Sequence, residues 1–324
     1  MDAVFSQYRD KDKNFIRDFQ TTGFSARVWE LSLFAFLQES ELELDEAYSY
    51  PDYLITGPHE VALEAATSQP AQNANSDPGE SGLAVIPKDL DAGQRELVFQ
   101  VGKAIRRKLI HRTAEGLAYW ELPHVEGKPF VIAVEAFHNP SSLFHSVTFV
   151  SQYLYGQQAV ASRGADGKLS VTSVPIEEHE WGGKAIPSGL FNAPESEHLS
   201  AVLFSNGATV AQFNRIALQE GMGANDQLVI SRRGTCMDYD PDASEPMQFA
   251  YRVGDPQSPY EDFGQVMNVL HNPNAKVPLP SGSFPGVAEH RLEEDGRLSV
   301  ACSGFHPFAS VTEIYTGPGA AKMR

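Results

Sequence analysis

PDYLITGPHEVALEAAT, residues 51–67, contains two short apolar runs separated by Gly57-Pro58-His59. A Gly-Pro break between two β-prone runs predicts a hairpin. Side chains alternate faces along a strand, so Val61 and Leu63 share one face while Ala62, Glu64 and Ala66 share the other. Glu64 is therefore a carboxylate in an otherwise apolar strand, and burying a carboxylate is costly unless it is paired or bound to metal. Asp52 stands at the head of the neighbouring strand, directly after Pro51. Acids delivered by adjacent strands can meet at one divalent cation, and hard oxygen ligands suit Mg²⁺ or Mn²⁺. The plainer alternatives are an edge strand with Glu64 facing water, and a Pro-Asp pair that only starts a turn.

Upstream, SARVWELSLFAFLQE (25–39) has no Gly or Pro and is apolar nearly all round, which predicts a buried helix with Ser25 as its N-cap and Glu30 inside it. The alternation in ELELDEAY (41–48) predicts a half-buried strand. Downstream, residues 67–92 are rich in Ser, Asn, Gly, Pro and Gln and read as a long mobile loop. A helix is expected over 93–111, then a central strand in GKPFVIAVEAF (127–137), then a helix over 141–156 closed by Gly156. In the second half, SAVLFS (200–205) reads as a buried strand followed by a helix over 208–219. Residues 225–324 mix short strands with Pro, Gly and Asn turns.

A helix with an internal Glu, then Pro-Asp, then a strand bearing Glu resembles the PD-(D/E)XK superfamily, which includes restriction endonucleases. The matching residues are Glu30, Pro51, Asp52 and Glu64, and the resemblance covers about residues 25–137. It implies an α/β fold with a restriction endonuclease-like mixed central sheet flanked by helices. Extra α+β elaboration is expected in the C-terminal half. The corresponding organisation is a lead-in over 1–24, a nuclease core over 25–160 and an α+β extension over 161–324, with no sharp linker in the sequence and continuity of the extension with the core left open. It further implies a metal-dependent nuclease acting on nucleic acid, with DNA preferred, Asp52 and Glu64 as ligands to Mg²⁺ or Mn²⁺, and Glu30 assisting.

The family's lysine belongs two residues after the second acid, where this chain has Ala66. Its ammonium orients the attacking water and offsets charge in the transition state. Two substitutes are available. Lys108 shares a helical stripe with Leu97, Val101, Ala104 and Ile105, so it can snorkel inward from an apolar face. Gln69, just after the strand, is the second. The missing lysine leaves open a catalytically degenerate core that serves as a binding or scaffolding module.

The formal charge of -17 opposes diffuse attraction to nucleic acid or anionic lipid. Cations must therefore be concentrated locally, and Arg95, Lys103, Arg106, Arg107, Lys108 and Arg112 on one helix are the candidates for a phosphate contact. Cys236 and Cys302 lie far apart without a CxxC, which argues against a disulfide framework or zinc cluster and fits a cytoplasmic setting. With no run of about 18 apolar residues, no membrane span is expected. A homodimer is compatible with all of this.

Other signals are weaker. His138-Asn139-Pro140, His271-Asn272-Pro273 and His306-Pro307 read as turns. No Walker A, GxSxG or GxGxxG pattern is present, which lowers the ATPase, α/β-hydrolase and dinucleotide-binding readings. A separate site near Ser205, Asn206, Asn214 and Arg215 is the remaining enzymatic alternative.

Overall fold

The computed structural model describes residues 1–11, 13–68, 89–139, 141–223, 227–240 and 242–317. The expected loop over 67–92 lies almost entirely outside them, as does Gln69. Helices α1 (Asp2–Phe5), α2 (Phe15–Phe19) and α3 (Phe24–Glu39) lead into strands β1 (Glu43–Leu44), β2 (Tyr53–Thr56) and β3 (Val61–Thr67). Next come α4 (Leu90–Leu109), β4 (Phe130–Glu135) and α5 (Val147–Tyr155). Two hairpins follow, β5 (Gln157–Arg163) with β6 (Leu169–Pro175), and β7 (Glu178–Trp181) with β8 (Lys184–Pro187). The remainder is β9 (Ala201–Ser205), α6 (Val210–Gln219), β10 (Leu228–Cys236), β11 (Met247–Arg252), β12 (Met267–His271), β13 (Ala288–Leu292), β14 (Leu298–Ala301) and β15 (Pro307–Thr316).

Eight strands form one mixed sheet in the order β1-β2-β3-β4-β9-β12-β13-β14. The hairpin β2–β3 is antiparallel, with Tyr53 opposite Leu63 and Leu54 opposite Ala62. Strands β3, β4 and β9 then run parallel to one another. The continuous apolar runs of β4 and β9 suit this central place, since parallel strands are covered on both faces. The main sheet takes strands from both sides of residue 160, since β9, β12, β13 and β14, all later in the chain, extend it beyond β4. A second sheet has the order β11-β10-β15.

Strand parity separates two cores. Val61, Leu63, Val131, Ala133 and Leu203 pack with α3, through Trp29, Leu33 and Phe36. Ala62, Ala66, Ile132, Val134 and Val202 pack with α4 and α5, through Val101, Ile105 and Val150. A helix apolar on every side fits this arrangement, because α3 is enclosed by the sheet on one side and the N-terminal aromatics on the other. Trp29 also donates its indole N–H to the Ala133 carbonyl at 3.2 Å. Among the described residues no helix is long and apolar enough to cross a membrane.

Several local expectations are corrected. Gly23, not Ser25, caps α3, and Ser25 is buried inside the helix. The strand expected over 41–48 shrinks to Glu43–Leu44. Asp89 starts α4 earlier than expected by accepting the Ala92 N–H at 2.9 Å. The helix expected over 141–156 is a 3-10 turn followed by α5, which Gly156 ends in the left-handed conformation. Both cysteines are free thiols.

Candidate functional site

The hairpin holds its two acids side by side through reciprocal main-chain bonds. The Asp52 N–H donates to Glu64 Oε2 at 3.2 Å, and Asp52 Oδ2 accepts the Ala65 N–H at 2.7 Å. Asp52 is half-buried and Glu64 is only 2% exposed. Glu64 lies on the face of β3 that looks towards α4, as strand parity requires.

Lys108 closes that face. Its Nζ donates to Glu64 Oε1 at 2.5 Å, so the cation beside Glu64 comes from α4 and not from β3. Tyr119 adds a second donor, its hydroxyl reaching the same Oε1 at 2.7 Å. Burial works against the Lys108 charge, but the carboxylates of Glu64 and Asp52 outweigh it and hold the ammonium above the ordinary lysine range. Burial, and then the Glu64 charge, raise the Tyr119 hydroxyl strongly, so Tyr119 serves as a neutral donor. Asp52 is raised by burial first and by the Glu64 carboxylate second.

Glu30 enters from α3, across the sheet from Lys108. Together with Asp52 and Tyr53 it lines a small cavity of about 50 Å³. Arg27, one turn earlier, donates to Glu30 Oε2 at 2.5 Å and to Asp18 at 2.8 Å. The Tyr53 hydroxyl holds the Glu30 carbonyl at 2.7 Å. Burial, then the Asp52 carboxylate, push the Glu30 carboxyl up to about 7, with Arg27 pulling the other way. Lys11 donates to the Asp52 carbonyl at 3.2 Å and to the Tyr48 carbonyl at 2.9 Å, so the N-terminal segment borders the same pocket.

Of the expected site residues, Asp52, Glu64 and Lys108 come together, Glu30 stands beside Asp52 with Arg27 on its carboxylate, and Gln69 is outside the described residues. Sequence reasoning missed Tyr119, Arg27 and Lys11. Arg27 carried a signal, since a cation at i−3 on the same helix faces Glu30. Tyr119 and Lys11 carried none, because they reach the site across long stretches of chain.

The basic face of α4 is partly consumed by the protein itself. Lys108 turns inward, Arg106 donates to the Tyr153 hydroxyl at 3.1 Å, and Arg112, which lies just beyond the end of the helix, pairs with Glu195 at 2.9 Å. Arg95, Lys103 and Arg107 remain exposed.

The second-half set does not converge. Asn206 Nδ2 is committed to the carbonyls of Leu143, His145 and Phe308, Arg215 is buried, and Asn214 is exposed on a different side of α6. The Asn-Pro signals do mark turns: Asn139 Oδ1 accepts the Ser141 N–H and Asn272 Oδ1 accepts the Asn274 N–H. Their histidines, however, are buried, and His138 Nδ1 meets the Ser68 hydroxyl at 3.1 Å.

The donor set can be tested against a divalent ion. Each acid spends part of its capacity on main-chain N–H groups, yet a carboxylate offers about four lone-pair positions. Among the described residues no group of three or more His, Cys, Asp or Glu side chains is arranged to hold a metal. Two carboxylates fit Mg²⁺, which commonly takes one or two from protein and keeps other positions for water and phosphate. They do not fit a zinc-type site, which takes three or four protein ligands that are mostly nitrogen or sulfur. In comparisons with known proteins, no family model, no curated protein and no solved structure matches the chain.

Proposed function

We propose that the chain is a metal-dependent phosphodiesterase acting on nucleic acid, DNA in preference to RNA, built on a restriction endonuclease-like core of the PD-(D/E)XK type. The observation that carries this reading is the meeting of Asp52, Glu64 and Lys108, from the head of one strand, the middle of the next and a helix far along the chain. Asp52 and Glu64 would hold Mg²⁺ or Mn²⁺. When bound, such an ion supplies a water of lowered pKa and stabilises charge on the phosphodiester.

The chain's own groups have separable tasks. Glu64 is fixed by Lys108 and Tyr119, which set the direction of its free lone pairs. Lys108 supplies the ammonium that orients the attacking water and offsets negative charge as the phosphorus centre becomes crowded. Glu30, with a carboxyl raised to about 7, can hold or release a proton near neutral pH. Arg95, Lys103 and Arg107 offer exposed cations for the backbone of the substrate.

One feature favours a second reading. Lys108 already neutralises Glu64 without any metal, as expected of a core that binds or scaffolds and no longer cleaves. One experiment separates the two. Purified protein and its Asp52→Ala variant are incubated with plasmid DNA, single-stranded DNA and RNA in Mg²⁺ or Mn²⁺. Cleavage by the parent and none by the variant supports the enzyme. Retention of nucleic acid with no cleavage under any condition supports the binding module and rejects the enzyme.

A further inference from the structure

A second region of the molecule is unrelated to this site and owes nothing to the phosphodiesterase reading. A cavity of about 270 Å³ lies between the start of α3, the first turn of α6 and strand β15. Its wall is largely apolar, with Phe24, Val28, Leu143, Val266 and Phe308 among the contributors. Arg215 and Arg232 line it too, although they are only 3% and 2% exposed.

The charges there do not balance. Glu261, 2% exposed, takes Arg215 in a fork at 2.8 and 2.7 Å and also receives Arg232 at 3.3 Å. Arg232 otherwise meets neutral groups: Ser310 Oγ at 2.9 Å, the Tyr251 hydroxyl at 3.4 Å, and the rings of Phe249 and Phe305. Among the described residues two guanidinium groups thus share one carboxylate, and about one positive charge stays buried beside an apolar cavity. Buried charge is costly without a counter-charge. Val210 and Ala211, in the first turn of α6, line the same wall, and the N–H groups of a first turn have no acceptor within the helix.

We infer that this cavity binds a small monocarboxylate, whose single negative charge meets Arg232 and whose hydrocarbon body fills the apolar wall. A carboxylate matches the one uncompensated charge, whereas a phosphate monoester carries about −1.5 to −2 at neutral pH and overshoots it. The planar fork of guanidinium also matches the planar carboxylate. At about 270 Å³ the space falls just below the usual range of ligand pockets, which begins at about 300 Å³, so the body is that of a short branched or aromatic acid.

The test uses the full chain and phenylacetate, with phenylacetamide as the neutral isostere and phenyl phosphate as the more highly charged one. Calorimetry and thermal melting should show saturable one-to-one binding of phenylacetate and a melting temperature that climbs with its concentration. Both comparison compounds should bind at least about tenfold more weakly, the loss expected for one charge-assisted hydrogen bond. Arg232→Met leaves Arg215 and Glu261 as a balanced pair, so it should fold with no loss of melting temperature and lose phenylacetate binding. Ala211→Phe should block binding by filling the cavity while leaving every charge in place. The inference is overturned by equal binding of phenylacetamide, by tighter binding of phenyl phosphate, or by an Arg232→Met protein that binds phenylacetate unchanged. Absence of saturable binding for phenylacetate, isovalerate and hexanoate alike overturns it as well.

Discussion

Lys108 Nζ stands 2.5 Å from Glu64 Oε1, although 44 residues separate the two positions and β3 itself carries no cation. The helix supplies what the strand lacks. Lys108 keeps its stem along the apolar stripe of α4 and sends its charge to the one carboxylate on the facing side of β3.

Breaking this pair from either side should be costly. Lys108→Met leaves Glu64 buried without its cation, and Glu64→Gln removes the anion from Lys108. Each is expected to lower stability by about 3 kcal/mol, and the double variant by less than the two together. Urea denaturation of the four proteins measures the coupling; additive losses would show that the pair contributes nothing. Nuclease activity, if present, should vanish in all three variants.

Tyr119→Phe removes one of the two side-chain donors on Glu64 Oε1 and nothing else of size. A stability loss of about 1–2 kcal/mol is expected, since a buried acceptor loses a hydrogen bond. As a positioning residue, Tyr119 should affect the metal concentration giving half-maximal cleavage more than the cleavage rate at saturating metal. Equal metal dependence in the two proteins would count against that role.

Glu135 should make stability fall as pH rises. It is fully buried at the end of β4, and among the described residues neither carboxyl oxygen has a partner of ordinary hydrogen-bond geometry. Burial pushes it up from 4.5 to about 8, with weaker opposition from the Ser205 hydroxyl and the Ala208 N–H. The folded state therefore holds the proton more tightly than the unfolded chain. Its contribution is fully present below pH 4.5 and is lost as pH rises through 8. The change is on the order of a few kcal/mol. Glu135→Gln should flatten that part of the stability curve, as followed by denaturant midpoints from pH 4 to 9; a slope identical to that of the parent would refute it.

Glu261→Gln should be among the most damaging single changes outside the sheet. It strands Arg215 and Arg232 together in the interior with no carboxylate between them. A loss of about 3–5 kcal/mol is expected by chemical denaturation. A loss under about 1 kcal/mol would mean that solvent reaches these groups.

Much of the frame was legible from short-range pattern. The all-round apolar character of 25–39 foretold the enclosed helix α3, and the uninterrupted apolar centre of 127–137 foretold a strand with neighbours on both sides. The period of two in 60–67 is enough to put Glu64 on the opposite face from Val61 and Leu63. The stripe on α4 marked Lys108 as the cation with buried neighbours. Each inference needs only local geometry, because the repeat of a strand or helix fixes which residues share a side.

Other features were decided only by packing in three dimensions. Nothing local brings Tyr119 to Glu64, Lys11 to Asp52, or Arg215 and Arg232 to one carboxylate, since each contact joins segments distant in sequence. The joining of β9, β12, β13 and β14 to the same sheet as β2, β3 and β4 is also a matter of pairing between remote strands. Periodicity tells each residue which way to face; only the closing of the sheet and the docking of helices upon it determine whom it meets there.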